Sequence, residues 1–184
     1  MAQVRLYTPL KVADLEKLHI GDSVLLCGVI YTGRDAAHKR LVDLLENNQE
    51  LPIDVTGQVM YYVGPAPAKP GMAIGSAGPT TSYRMDPYAP LLLEKGLKAM
   101  IGKGPRGAAV RDAIKKYQAV YLAATGGAAA LIANSIKKAE IVAYEDLGAE
   151  AIRKLQVEDF PCIVANDIHG NDLYEQGIAR YAEE

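Results

Sequence analysis

The chain has 184 residues, 49% of them hydrophobic and 23% charged, with a formal net charge of -2 and a pI near 5.9. This length suits one compact domain over 1–184, and the balance lacks the clustered basic face that phosphate neutralisation demands of a nucleic-acid binder. The longest apolar run, Val24–Tyr31, falls far short of the ~20 residues of a membrane-spanning helix, and the start MAQVRLYTPL lacks the apolar core of a secretory signal, so a cytoplasmic location is expected.

Apolar runs rich in Val, Ile and Tyr alternate with helix-period segments, the pattern of an α/β fold with strands at its centre. The first expected strand, Val24–Tyr31, runs into Thr32-Gly33-Arg34-Asp35. A helix follows, with Ala37, Leu41, Leu44 and Leu45 at i, i+4, i+7 and i+8 and Asp35 placed to cap it. A helix start carries partial positive charge and unpaired N–H groups, and Arg34 offers a fork that grips a carboxylate, so this loop is a candidate anion site. The plainer alternative is a solvated Arg34 beside a capping Asp35.

A strand at Val59–Val63 leads into VGPAPAKPG, where three prolines exclude regular structure. The run from Gly75 to Pro87 is then rich in donors: Thr80, Thr81 and Ser82 suit an oxyanion or a proton, and Arg84 suits a second carboxylate. The structural alternative pairs Arg84 with Asp86 at the start of the next helix.

A strand at Ala99–Ile101 opens into Gly102-Lys103-Gly104-Pro105-Arg106-Gly107, a match to G-x-G-x-x-G ahead of a helix striped by Val110, Ala113, Ile114 and Tyr117. A dinucleotide site also requires an acidic residue about twenty positions on, at the end of the next strand. The strand Ala119–Ala123 ends instead in Ala124-Thr125-Gly126-Gly127, so a nucleotide-binding oxidoreductase using Gly102–Gly107 stands as a distant alternative.

A nearly all small or apolar helix from Gly127 to Ile136 is expected between a sheet and another layer, or against a partner subunit. Strands at Glu140–Tyr144 and Cys162–Ala165 and a polar amphipathic helix from Asn171 to Glu184 complete the chain. Cys27 and Cys162, its two cysteines, lie in strand-like runs and are too few for an iron–sulfur or zinc centre. Asp167 and His169 have a ligand spacing that a polar loop after a strand explains at less cost.

Arg34, Arg84 and Lys103 thus stand in glycine-bearing loops at strand ends, where an open α/β sheet binds its ligands. Three cations without an apolar pocket suit a small, multiply charged acid with a clamp for each end. Removing water from a hydroxy acid also takes a base and a Lewis acid, and that missing half is expected from elsewhere.

In order and spacing, TGRDAAHKR (Thr32–Arg40), GPTTSYRMD (Gly78–Asp86) and IGKG (Ile101–Gly104) resemble the C-terminal region, or separate β subunit, of iron–sulfur fumarases and L-tartrate dehydratases. The resemblance covers most of the chain, including Leu51-Pro52 and the run Ile163 to Asp167. It implies a swivelling β/β/α domain, a mixed sheet flanked by helices, closing on a larger α subunit that holds a [4Fe–4S] cluster. It further implies that Arg34 and Arg84 hold substrate carboxylates, assisted by Lys103 and Thr81. Thr80 is implied in proton transfer at the substrate carbon, and His38, one helical turn past Arg34, in the same cleft as a catalytic group or a prop. Ser82-Tyr83 departs from the small residues frequent there and bears on substrate size.

The expected activity is the reversible hydration of fumarate to malate, a tricarboxylic acid cycle step. The chain would act as the β subunit of a hetero-oligomer, with a homodimer open to it when isolated. An L-tartrate dehydratase β subunit is the nearest alternative.

Overall fold

A computed structural model describes residues 3–124 and 129–181. The β-branched and aromatic runs become strands β1 (Gln3–Tyr7), β2 (Ser23–Thr32), β3 (Val59–Tyr61), β4 (Ala99–Gly102), β5 (Val120–Ala123), β6 (Ile136–Ala143) and β7 (Ile152–Asn166). The helices are α1 (Val12–Leu15), α2 (Asp35–Glu46), α3 (Ala89–Glu94), α4 (Ala108–Lys116), α5 (Ala129–Ser135) and α6 (Leu173–Tyr181).

All seven strands join one mixed sheet in the order β1-β2-β3-β4-β5-β7-β6. From β1 to β5 the neighbours run parallel, while β7 runs antiparallel to β2, β5 and β6. Because β7 pairs with both β2 and β5, strands β2, β3, β4, β5 and β7 close into a ring. Both edges of β7 are used: Leu155 lies between Ile30 and Ala139, and Ile163 between Ser23 and Ala123.

Parallel strands covered on both sides need apolar residues on both faces, and the period of two sorts them here into two cores. Tyr61, Ile101, Leu122 and Phe160 belong to the core shared by the strands, with Leu26, Ile30 and Val164. Their strand neighbours Met60, Met100 and Tyr121 face outward onto α2, α3 and α4 through Ala37, Leu41, Leu92 and Ile114. Each such large side chain contributes about 1.5–3 kcal/mol when fully buried. The expected helical stripes after Asp35 and Gly107 are these packed faces.

Several boundaries differ from the sequence reading. The strand expected at Cys162–Ala165 extends back to Ile152. Its first half is interrupted by Arg153, Lys154 and Glu158, and Asp159 sits in the left-handed region (φ 51) beside the break in register between Leu26 and Gly28. The helix expected from Gly127 to Ile136 is described only from Ala129 and stops at Ser135, with Ile136 opening β6; Gly127 lies outside the described residues. Leu131 on that helix is 68% exposed, so it is not apolar-covered all round. The strand expected to reach Tyr144 stops at Ala143, where Tyr144 turns the chain at φ 56. The terminal helix runs from Leu173, not Asn171, and residues 182–184 lie outside the described part. As expected, the proline-rich stretch after Val63 forms neither helix nor strand.

Candidate functional site

Strands β2, β3 and β4 are parallel, so their C-terminal ends deliver three loops to one side of the sheet. Gly33 N–H donates to the Tyr61 carbonyl (3.0 Å), which seats the Arg34 loop against the end of β3. From the other flank, Thr80 N–H donates to the Tyr62 carbonyl (2.7 Å), Lys103 N–H to the Thr80 carbonyl (3.3 Å) and Ser82 N–H to the Lys103 carbonyl (2.9 Å). The threonine pair therefore lies alongside Lys103 as a short continuation of the sheet. Thr80 and Thr81 are half-buried, while Lys103 is exposed.

Gly102 is required for that close approach. A Cβ at this position would sit 1.9 Å from Ser82 Oγ and 3.0 Å from the Tyr62 ring. The buried Ser82 hydroxyl is also 2.9 Å from the hydroxyl of Tyr121, which donates to the Gly104 carbonyl (2.8 Å) and so ties the two loops together.

Arg34 and Arg84 come from separate loops, and one carboxylate joins them: Arg84 Nε donates to Asp35 Oδ1, 49 residues away in sequence, at 2.8 Å, and Arg34 Nη2 lies 3.7 Å from Asp35 Oδ2. Two expectations change here. Asp35 is the first residue of α2, not its cap; the Ala36 N–H of that helix start is taken by Glu150 Oε2 at 3.0 Å. Arg84 does not pair with Asp86, because Asp86 accepts from Arg106 Nε (2.7 Å) and from Gly107 N–H (2.6 Å) at the start of α4.

That last arrangement fills the helix start which a dinucleotide pyrophosphate would need. Arg106 itself is buried, with its guanidinium 5.4 Å from the Tyr62 ring centre and 5.0 Å from that of Tyr121. Of the two cations in the G-x-G-x-x-G loop, Arg106 is thus locked in a packed ion pair and Lys103 is exposed, an arrangement that does not favour the nucleotide alternative. Sequence reasoning gave Arg106 no role, since its partner Asp86 lies twenty residues away in another loop.

His38 is fully buried. Its Nδ1 lies 2.9 Å from the Arg34 carbonyl, and its ring meets Tyr62 edge-on at 5.2 Å. Burial lowers its pKa to about 4, against the pull of the Arg34 carbonyl. The ring is therefore neutral at pH 7, and the carbonyl places its proton on Nδ1. His38 joins the cluster from behind Arg34, without solvent access of its own.

Neither cysteine is placed as a metal ligand: Cys27 Sγ is 3.4 Å from Asp159 Oδ1, and Cys162 is buried with its thiol pKa raised by burial. Among the described residues no cluster of three or more His, Cys, Asp or Glu is placed to hold a metal ion. The Asp167 carboxylate accepts N–H groups from Ile20, His169 and Asn171, which leaves that spacing a structural role. No helix among the described residues is long and apolar enough to cross a membrane.

The family model described as Fumarase C-terminus matches residues 1–177. The chain is 43% identical over 178 residues to the anaerobic class I fumarate hydratase of Escherichia coli K12, covering 95% of this chain and 32% of that protein. It is 41% identical over 169 residues to the "Putative L(+)-tartrate dehydratase subunit beta" of Methanocaldococcus jannaschii, covering 89% of this chain and 87% of that one. Fumarate hydratase 2 of Leishmania major is 40% identical over 168 residues, 90% of this chain and 30% of its own length. The chain thus spans about a third of the fumarate hydratases and most of the β subunit.

Proposed function

The chain belongs to the Fumarase C-terminus family, and from that membership we propose that it is the β component of an iron–sulfur hydro-lyase that interconverts fumarate and malate. The observation carrying this reading is the convergence of Arg34 and Arg84 on Asp35, beside the edge where Thr80 and Thr81 meet Lys103. Two planar guanidiniums a short way apart suit the two ends of a small diacid. Hydrogen bonds to such charged groups contribute roughly 1.5–3 kcal/mol each.

In this reading Arg34 and Arg84 hold the substrate carboxylates, and Lys103 and Thr81 add donors at the same edge. The Thr80 hydroxyl moves a proton at the substrate carbon. His38, sealed behind Arg34, acts through that residue: its Nδ1–H holds the Arg34 carbonyl and fixes the loop. The [4Fe–4S] cluster resides on a partner α subunit of a hetero-oligomer, and when bound it supplies a Lewis acid for the leaving hydroxyl. The assembly works in the cytoplasm.

The test is to produce the chain with a cluster-bearing α subunit without oxygen and to assay fumarate hydration. Arg84→Ala should cut turnover by about a hundredfold or more, the scale of losing one charge-stabilising donor, while the two chains still co-purify. Near-wild-type turnover in that variant would remove the clamp from the account. The β-subunit relative from Methanocaldococcus jannaschii favours L-tartrate as a second substrate reading. Comparing fumarate, malate and tartrate turnover by the same assembly decides between them.

A further inference from the structure

Glu150 occupies the position that the sequence reserves for a ligand. Its Oε2 accepts the Ala36 N–H at the start of α2 (3.0 Å), and its Oε1 lies 3.5 Å from Arg34 Nη2. The second distance is beyond the 2.7–3.2 Å of an N–H···O hydrogen bond, so the carboxylate attracts the guanidinium without using its donors. Arg34 Nε is buried and has no hydrogen-bond partner among the described residues. Gly64 is pressed against the same guanidinium: a Cβ there would be 2.8 Å from Arg34 Nη1 and 3.6 Å from the Ala149 carbonyl oxygen.

The segment carrying Glu150 is fastened at several points. Arg153 donates from Nη1 to the carbonyls of Ala149 (3.1 Å) and Ala151 (3.2 Å) and from Nη2 to that of Gly148 (2.9 Å). The buried Thr32 hydroxyl donates to the Ala151 carbonyl (3.2 Å) and accepts the Arg153 N–H (2.9 Å). Arg40 on α2 grips the Asp146 carboxylate through two bonds of 2.9 and 2.6 Å. A carboxylate mounted on so many ties is a fixed part of the site, not an anion waiting to be displaced.

We propose that Glu150 is a positioning residue for Arg34: it closes the α2 helix start and orients the guanidinium by charge alone, leaving the Nη donors of Arg34 for the substrate carboxylate. This deepens the hydro-lyase reading and rests on it for the substrate. Arg34 is the clamp that would feel the loss of Glu150, which lies nearer to it than Asp35 does (3.5 against 3.7 Å), whereas Arg84 is bonded to Asp35.

In the assembly with the cluster-bearing α subunit, Glu150→Ala should raise KM for fumarate about tenfold or more with kcat changed much less, the mark of lost substrate binding. Glu150→Gln should fall between that variant and the wild type, because its amide oxygen still accepts the Ala36 N–H while the charge is gone. A Glu150→Ala KM equal to or below the wild-type value would overturn the proposal. The isolated chain gives a second measurement, the NMR signal of the Arg34 Nε–Hε group. That signal should move in both Glu150 variants and stay in place in Glu140→Gln; a signal unmoved in Glu150→Ala would also overturn the proposal. A wild-type assembly inactive on fumarate, malate and tartrate would sink the hydro-lyase reading, and the Arg34 signal would still decide the role of Glu150.

Discussion

His38 shows how one buried side chain links site geometry to stability. With its pKa held at about 4 by burial, the ring stays neutral in the folded chain while the unfolded chain protonates it near 6.5. The unfolded state therefore binds the extra proton between those values. The contribution of His38 to stability is complete above about pH 6.5 and declines as pH falls towards about 4, with a span of about 3 kcal/mol. Urea unfolding at pH 7 and pH 4.5 checks this: His38→Gln, which cannot titrate but still donates to the Arg34 carbonyl, should show a visibly shallower loss than the wild type. An equal loss in both would place the acid sensitivity elsewhere. At this scale the sequence named most of the cluster through its motifs, yet it could not give burial, and so His38 reads there as a cleft residue. Glu150 was invisible for another reason: it meets Ala36 across 114 residues, and no local spacing announces such a contact.

Among the elements, α4 depends most clearly on a partner from another loop. Asp86 closes its first turn through the Gly107 N–H and at the same time neutralises the buried Arg106. Asp86→Ala would remove both, and stranding a buried cation costs about 3–5 kcal/mol. Thermal unfolding should show a large drop in Tm, with Asp86→Asn milder because it keeps an acceptor for the Gly107 N–H; a drop within experimental error would refute the pairing. Helices α2 and α4 were legible because their apolar stripes span two turns or more. By contrast, β7 was read only at its end, since Arg153, Lys154, Glu158 and Pro161 break up the apolar pattern while Leu155, Val157 and Phe160 keep the buried face. The short α3 has Pro87 just before it and Pro90 in its first turn, and its 6 residues offer less than two turns of signal; β1 alternates too briefly to stand out from a loop.

For the molecule as a whole, closure of the ring through β7 is the feature that local patterns could not supply. Long-range pairing decides it, and the resemblance alone pointed to a swivelling β/β/α arrangement. Since β7 is hydrogen-bonded along both edges and β2 along most of both, opening either strand requires parting several neighbours together. Native-state amide exchange should accordingly be slowest in the buried stretches of β2 and β7, around Val24 to Ile30 and Leu155 to Val164, and fastest over 65–73. Faster exchange in β7 than in that proline-rich stretch would contradict the closed ring.

Asp35 serves two guanidiniums at once. In the hydro-lyase reading proposed above, a diacid reaching Arg84 trades places with a resident carboxylate rather than meeting a bare cation, and the net gain on capture is only the difference between two similar pairs. On that proposal the clamp at Arg84 lets go of its diacid easily, whichever way the reaction runs.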